Sequence, residues 1–277
     1  MSFDEYLLAT DRPMVMPAIK EQFESLKPMG ALHQQAMKAY REWMLVGGMP
    51  QAVSEFVRTH DFGRADFTKQ RILSLYTSDM EEQNEERTEC VRGFFERIPS
   101  ELSKHDKRYV ISHVNKGARM REYAGPVQWL DQAMVVNLAN NVDDPSAALN
   151  LTVTDPSFKC YLMDTGLLVS LAHKDGPYLE NELYRAILLD KLHVNEGMVV
   201  ENATAQSLRT SGHRAFLPRD EQKDAQNHDG GRLPRSSRWQ GVPHRGQVLR
   251  IEEHKVACQV SRELWQACGS GLRPACG

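Results

Sequence analysis

Two glycines and a proline at Gly47-Gly48-Met49-Pro50 separate the first strong helical pattern of the chain from the next, and they leave the backbone few alternatives there. Residues 33–46 place Ala36, Tyr40, Trp43 and Met44 along one helical face, and the glycine pair stops that helix. Pro50 then restarts it from the first turn, where a missing N–H costs nothing. A long amphipathic helix is expected from about Arg64 to Gln83, with Phe67, Ile72, Leu75, Tyr76 and Met80 as its core side. Another is expected from about Glu86 to Arg97, ending at Ile98-Pro99, where Ser100 can cap a short turn. Tyr123 to Met134 gives one more helix, with Trp129 and Leu130 turned inward. Val135 to Leu138 and Cys160 to Met163 read as strands on either side of a polar, proline-containing loop. The last patterned element, Gly197 to Ser207, is expected to be a helix opening with Glu201. The expected fold class is α+β and mostly helical, and helices followed by a two-stranded hairpin suggest a winged helix.

Composition excludes several classes. With 41% hydrophobic and 26% charged residues among 277, the chain can bury a core, which rules out a wholly disordered, collagen-like or membrane-embedded protein. No apolar run approaches the roughly 18 residues that span a bilayer, and the start lacks a basic segment followed by an apolar one. The expectation is a cytoplasmic chain with no membrane partner. Five cysteines without C-x-x-C spacing describe neither a disulfide framework nor a zinc site. The net charge of −3 hides an asymmetry: His228 to Gly277 holds eight Lys and Arg against four acids. The same fifty residues hold Cys258, Cys268 and Cys276 and seven of the eighteen glycines, and no periodicity persists in them. A basic nucleic-acid arm, a disordered linker and an out-of-frame translation all fit that composition, but only the last accounts for the cysteines.

Several segments, taken together, resemble a known family. Trp43-Met44-Leu45-Val46-Gly47-Gly48-Met49-Pro50-Gln51-Ala52-Val53 is followed in order by Ile72 to Asp79, Ile98-Pro99-Ser100-Glu101-Leu102-Ser103, Trp129-Leu130 and Phe158 to Leu168. Gly197-Met198-Val199-Val200-Glu201-Asn202 completes the set. This order resembles the region that follows the nucleotide-binding module in bacterial and archaeal AAA-type P-loop ATP-binding proteins. The resemblance implies an ATPase lid remnant over residues 1–48, a winged-helix region over 49–170 and an incomplete restriction-endonuclease-like domain starting over 171–227. Residues 228–277 are left as the out-of-frame tail. ATP and Mg²⁺ are implied only for intact members of that family.

The chemistry of such members needs residues that this sequence lacks. A phosphate cradle needs G-x-x-x-x-G-K-[ST], and Gly241 to Gly246 is followed by Gln247 instead of lysine. The family's "E-V-D-F" and "I-E-V-K" strands, whose carboxylates and lysine would serve Mg²⁺-dependent hydrolysis, do not occur. Glu221-Gln222-Lys223 and Glu253-His254-Lys255 match acid-x-Lys only at the frequency expected by chance. Read one base later, the codons of Asp229 to Leu233 permit M-E-V-D-F and those of His244 to Gln247 permit I-E-V-K, in the family's order. The expectation is therefore a non-catalytic chain with no cofactor or metal of its own. Lys116, Arg119 and Arg121, at the start of the expected recognition helix, are the candidate nucleic-acid contacts, and nucleic acid is the alternative partner. Glu201 is the candidate remnant of an acidic site. His105, His113, His173 and His193 stand singly, and Trp43 and Trp129 are expected in the core.

Overall fold

The structure, a computed structural model, describes residues 1–26, 28–83, 88–104, 109–114, 120–142, 158–174, 196–213 and 215–218. Helix α1 (Phe3–Ala9) opens with a capping box, in which Ser2 Oγ accepts from Glu5 N and the Glu5 carboxylate accepts from Ser2 N. Helix α2 (Val15–Ser25) ends at Leu26 in the left-handed region. Helix α3 (Ala31–Val46) ends at Gly47, whose φ of 85° suits glycine, and α4 (Pro50–Thr59) carries its proline in the first turn. Next come α5 (Phe62–Gln83), α6 (Thr88–Leu102), a short 3₁₀ turn at Ile111–His113 and α7 (Met120–Gln132). Strands β1 (Val136–Val142) and β2 (Phe158–Leu162) pair antiparallel, Val136 opposite Leu162 and Asn140 opposite Phe158. Helices α8 (Thr165–Ala172) and α9 (Glu196–Thr210) follow, and β3 (Phe216–Pro218) pairs parallel with β1. The described residues are thus mostly helical, and among them one sheet has the order β2-β1-β3.

Among the described residues, the larger apolar cluster runs from Tyr6 to Ala215 and takes in side chains from α3, α5, α6, α7, the sheet, α8 and α9. It crosses the expected boundaries at 48/49 and 170/171. Trp43 is fully buried in it, while a smaller cluster joins Ile19 of α2 to Ala36 of α3. Phe94 of α6, Tyr109 and Phe158 of β2 stack in series, and the Tyr109 hydroxyl donates to the Phe94 carbonyl at 2.6 Å. Among the described residues, no helix is long and apolar enough to cross a membrane.

Three expectations need correction. The core side of α5 includes Ile72 and Met80, but Phe67 and Leu75 are 52% and 62% exposed. The buried stripe runs instead through Ala65, Asp66, Lys69, Ile72, Leu73 and Met80, because two of its charged members find partners inside. Helix α6 does not stop before Pro99. It continues to Leu102 because Ile98, Pro99 and Leu102 all enter the core, and that packing outweighs the one hydrogen bond a proline forfeits. In α7, Leu130 is buried but Trp129 is only partly so, since its ring lies along the margin of the core.

Candidate functional site

Three of the segments quoted above, around Gly47-Gly48, Asp164 and Asn202, lie far apart in sequence and meet where the α3–α4 break touches the β2–α8 turn. Asp164 sits on that turn and is 2% exposed. One carboxylate oxygen accepts from Leu167 N at 2.9 Å and caps α8, while the other accepts from Gly48 N at 2.5 Å. The approach requires glycine on both sides. A Cβ at Gly47 would collide with the Asp164 carboxylate, and a Cβ at Gly166 would lie 2.6 Å from Gly47 Cα and from the Val46 carbonyl oxygen.

Lys69 enters the same place from α5 and is wholly buried. Its ammonium donates to the Leu45 carbonyl at 2.8 Å and the Gly166 carbonyl at 3.3 Å, and lies 3.5 Å from the Asp66 carboxylate. Leu45 is in the last turn of α3, where carbonyls lack partners within the helix and the helix dipole is negative, so a cation there satisfies both. Asp66 also accepts from Ser170 Oγ of α8 at 2.5 Å.

Helix α9 closes the other side. The Asn202 side chain accepts from Leu162 N at 2.8 Å and donates to the Leu162 carbonyl at 3.1 Å and Thr165 Oγ1 at 3.0 Å. Gln206 Oε1 accepts from both N and Oγ1 of Thr165, at 2.9 and 2.7 Å. The Met1 ammonium donates to the Gly48 carbonyl at 2.6 Å, and Gln206 Nε2 donates to the Met1 carbonyl at 3.4 Å. Burial raises the Asp164 carboxyl above its ordinary range, against the pull of its two N–H donors and Lys69. Burial likewise lowers the Lys69 ammonium, against the attraction of Asp66 and Asp164. Both charged groups spend their bonding capacity inside the protein. What the arrangement does chemically is lock the α3–α4 break, the β2–α8 turn, α5, α9 and the N-terminus together. A groove of about 450 Å³ opens outside it, lined by Met1, Ala9, Pro50, Val53, Ser54, Val57 and Arg58.

The residues singled out for function fare differently. Glu201 is in α9, one residue before Asn202, and accepts from the Tyr161 hydroxyl at 3.3 Å with the Lys159 ammonium 3.8 Å away. Burial and that carboxylate push the Tyr161 phenol upward. A lone carboxylate with an ammonium beside it does not fit Mg²⁺, and among the described residues no group of three or more His, Cys, Asp or Glu could hold a metal ion. Arg121 falls in the first turn of α7. Lys116 and Arg119 lie outside the described residues, as do His105, His193, Gly241 to Gly246, both acid-x-Lys pairs and the whole tail from 228 to 277. His113 is less isolated than its sequence context suggests, because Nδ1 lies 3.0 Å from the buried Glu101 carboxylate and 2.8 Å from the Lys104 ammonium. Burial lowers His173. Sequence reasoning missed Asp66 and Lys69. Their only signal is that they share the helical face of Ile72, Leu73 and Met80, which reads as apolar only if two charges are admitted to it.

No curated protein and no solved structure matches the chain. A model of a domain of unknown function, DUF8612, matches residues 37–178, from the middle of α3 to just beyond α8, and so includes the glycine break, Lys69 and Asp164. The match spans half of the sequence, and the chain belongs to the DUF8612 family.

Proposed function

We propose that this chain is a non-catalytic portion of an AAA-type ATP-binding protein, a helical scaffold appended to a nucleotide-binding module carried by longer relatives. On this reading α1 to α3 are the lid remnant, and α4 to α8 with the β1–β2 hairpin form a winged-helix region. Helix α9 and β3 begin a nuclease-like layer. One observation carries the proposal: of the residues through which the sequence resembles that family, Gly47, Gly48, Asp164 and Gly166 are packed against one another inside the protein, and Asn202 holds Leu162 and Thr165 beside them. Residues engaged in packing of this kind serve architecture, and chemistry would need at least one of them to face a ligand.

On the same reading, ATP and Mg²⁺ act elsewhere in the longer proteins, and residues 228–277 are an out-of-frame product. Titration of the full chain with a fluorescent ATP analogue and Mg²⁺ should show no saturable binding at micromolar nucleotide. A saturating curve competed away by ATP overturns the proposal. Sequencing the gene through the codons of Gln226 to His228 tests the tail separately. Salt-dependent binding of a DNA duplex would instead make the chain a nucleic-acid module.

A further inference from the structure

Helix α5 presents a second face that the core does not use. Arg64, Phe67, Arg71, Leu75, Ser78 and Glu82 recur at steps of three and four residues and are all exposed. At about 100° per residue they fall within an arc of roughly 80°, a continuous stripe along the helix. Its two apolar members are the side chains expected in the core and found outside it, at 52% and 62% exposure. Its charge is polarised. The exposed arginines lie in the first half of the helix, and the exposed acids Asp79, Glu81 and Glu82 lie in the last turns.

We infer that this stripe is a self-association surface, on which α5 pairs antiparallel with α5 of a second copy of the chain about a two-fold axis near Ile72. The partner is identified by complementarity. Only an antiparallel copy brings the basic half of one helix against the acidic half of the other, twice over by symmetry. The spacing supplies matching knobs and holes. Phe67 enters the gap bounded by Leu75, Ser78, Asp79 and Glu82 of the second copy, where the small serine leaves room for the ring. Leu75 enters the gap bounded by Arg64, Phe67, Thr68 and Arg71 of the second copy, and the arginine stems cover it. Arg64 reaches Glu82 of the second copy, and its present neighbour Glu55, at 3.8 Å and already held by Arg58, is no obstacle. Glu81 stays with Arg92 of its own chain.

The register has one unfavourable contact: the two Arg71 side chains meet near the axis. A single helix pair with like charges at its centre falls at the small end of specific interfaces, so the dimer should be weak, on the order of micromolar.

Sedimentation of the full chain from about 1 to about 100 μM tests this. The expected result is a reversible monomer–dimer equilibrium that Phe67→Glu or Leu75→Glu weakens by at least about tenfold, with circular dichroism unchanged because both positions are outside the core. Arg71→Leu should tighten the dimer by about tenfold, a gain that no loss of folding can imitate. Arg64→Glu should weaken it, and Arg64→Glu with Glu82→Arg should restore it. A chain that stays monomeric throughout, or a dimer indifferent to Phe67→Glu and Arg71→Leu, overturns the inference.

Discussion

Lys69 and Asp164 show how a buried charge can hold a fold together without stabilising it in proportion to its bonds. Each is desolvated, and the attraction between such groups offsets that cost only when every remaining donor and acceptor is used. Lys69 meets the condition with two carbonyls and Asp66, and Asp164 with two backbone N–H groups. The desolvation leaves a trace in the pH dependence. Asp164 is raised above its ordinary 3.8, so the folded state holds its proton more readily than the unfolded state does. A group shifted this way adds stability that is fully present below 3.8 and is lost as pH rises through the native pKa. The stability of the natural protein minus that of Asp164→Asn should therefore be greatest at the acid end and fall as pH rises. Urea midpoints of the two proteins from about pH 3.5 to about pH 8 would show it. A difference that grows with pH would mean that Lys69 outweighs desolvation at Asp164.

Among the elements, α7 offers the sharpest contrast between adjacent residues. Leu130 is fully buried against the core, so Leu130→Ala should cost about 3 kcal/mol. Trp129 is half-buried, and Trp129→Ala should cost clearly less, about 1 to 2 kcal/mol, despite the larger side chain. Urea unfolding of both variants checks the order, and a costlier Trp129→Ala would place its ring deeper than described. Much of the element layout was legible in the sequence, because helices α3 to α7 and the β1–β2 pair follow apolar periodicity and the glycine and proline signals around Pro50. What was not legible has a common cause. The face of α5 was misjudged because Phe67 and Leu75 look like core while Asp66 and Lys69 look like surface, and only contacts with α8 and the end of α3 reverse that judgement. Pro99 looked like a stop because its local cost is visible and the core around it is not. Strand β3 is three residues long and parallel to β1, too short for a period to show. The site was legible as a set of motifs but not as a place, since no local pattern tells Gly48 that Asp164 will lie beside it.

For the whole molecule, the continuous core predicts cooperative behaviour. Side chains on both sides of the expected boundaries at 48/49 and 170/171 share one cluster, so the described part should unfold in a single transition. Coincident urea curves from tryptophan fluorescence and far-ultraviolet circular dichroism would show this, and two separated transitions would show independent domains. The Asp164 contact with Gly48 has a further consequence, for the order of events during synthesis. It closes a separation of 116 residues, and Gln206 reaches Met1 across 205. A chain emerging from the ribosome makes α3, α4 and α5, with the Leu45 and Asp66 partners of Lys69, long before Gly166 and the Asp164 acceptor for the glycine break exist, and closing loops of this length is slow. Until α8 and α9 have been made, Lys69 lacks its Gly166 acceptor and the apolar side of α3 lacks part of its cover. Translation that pauses between these segments would hold the nascent protein in its most aggregation-prone form, whatever the stability of the finished fold.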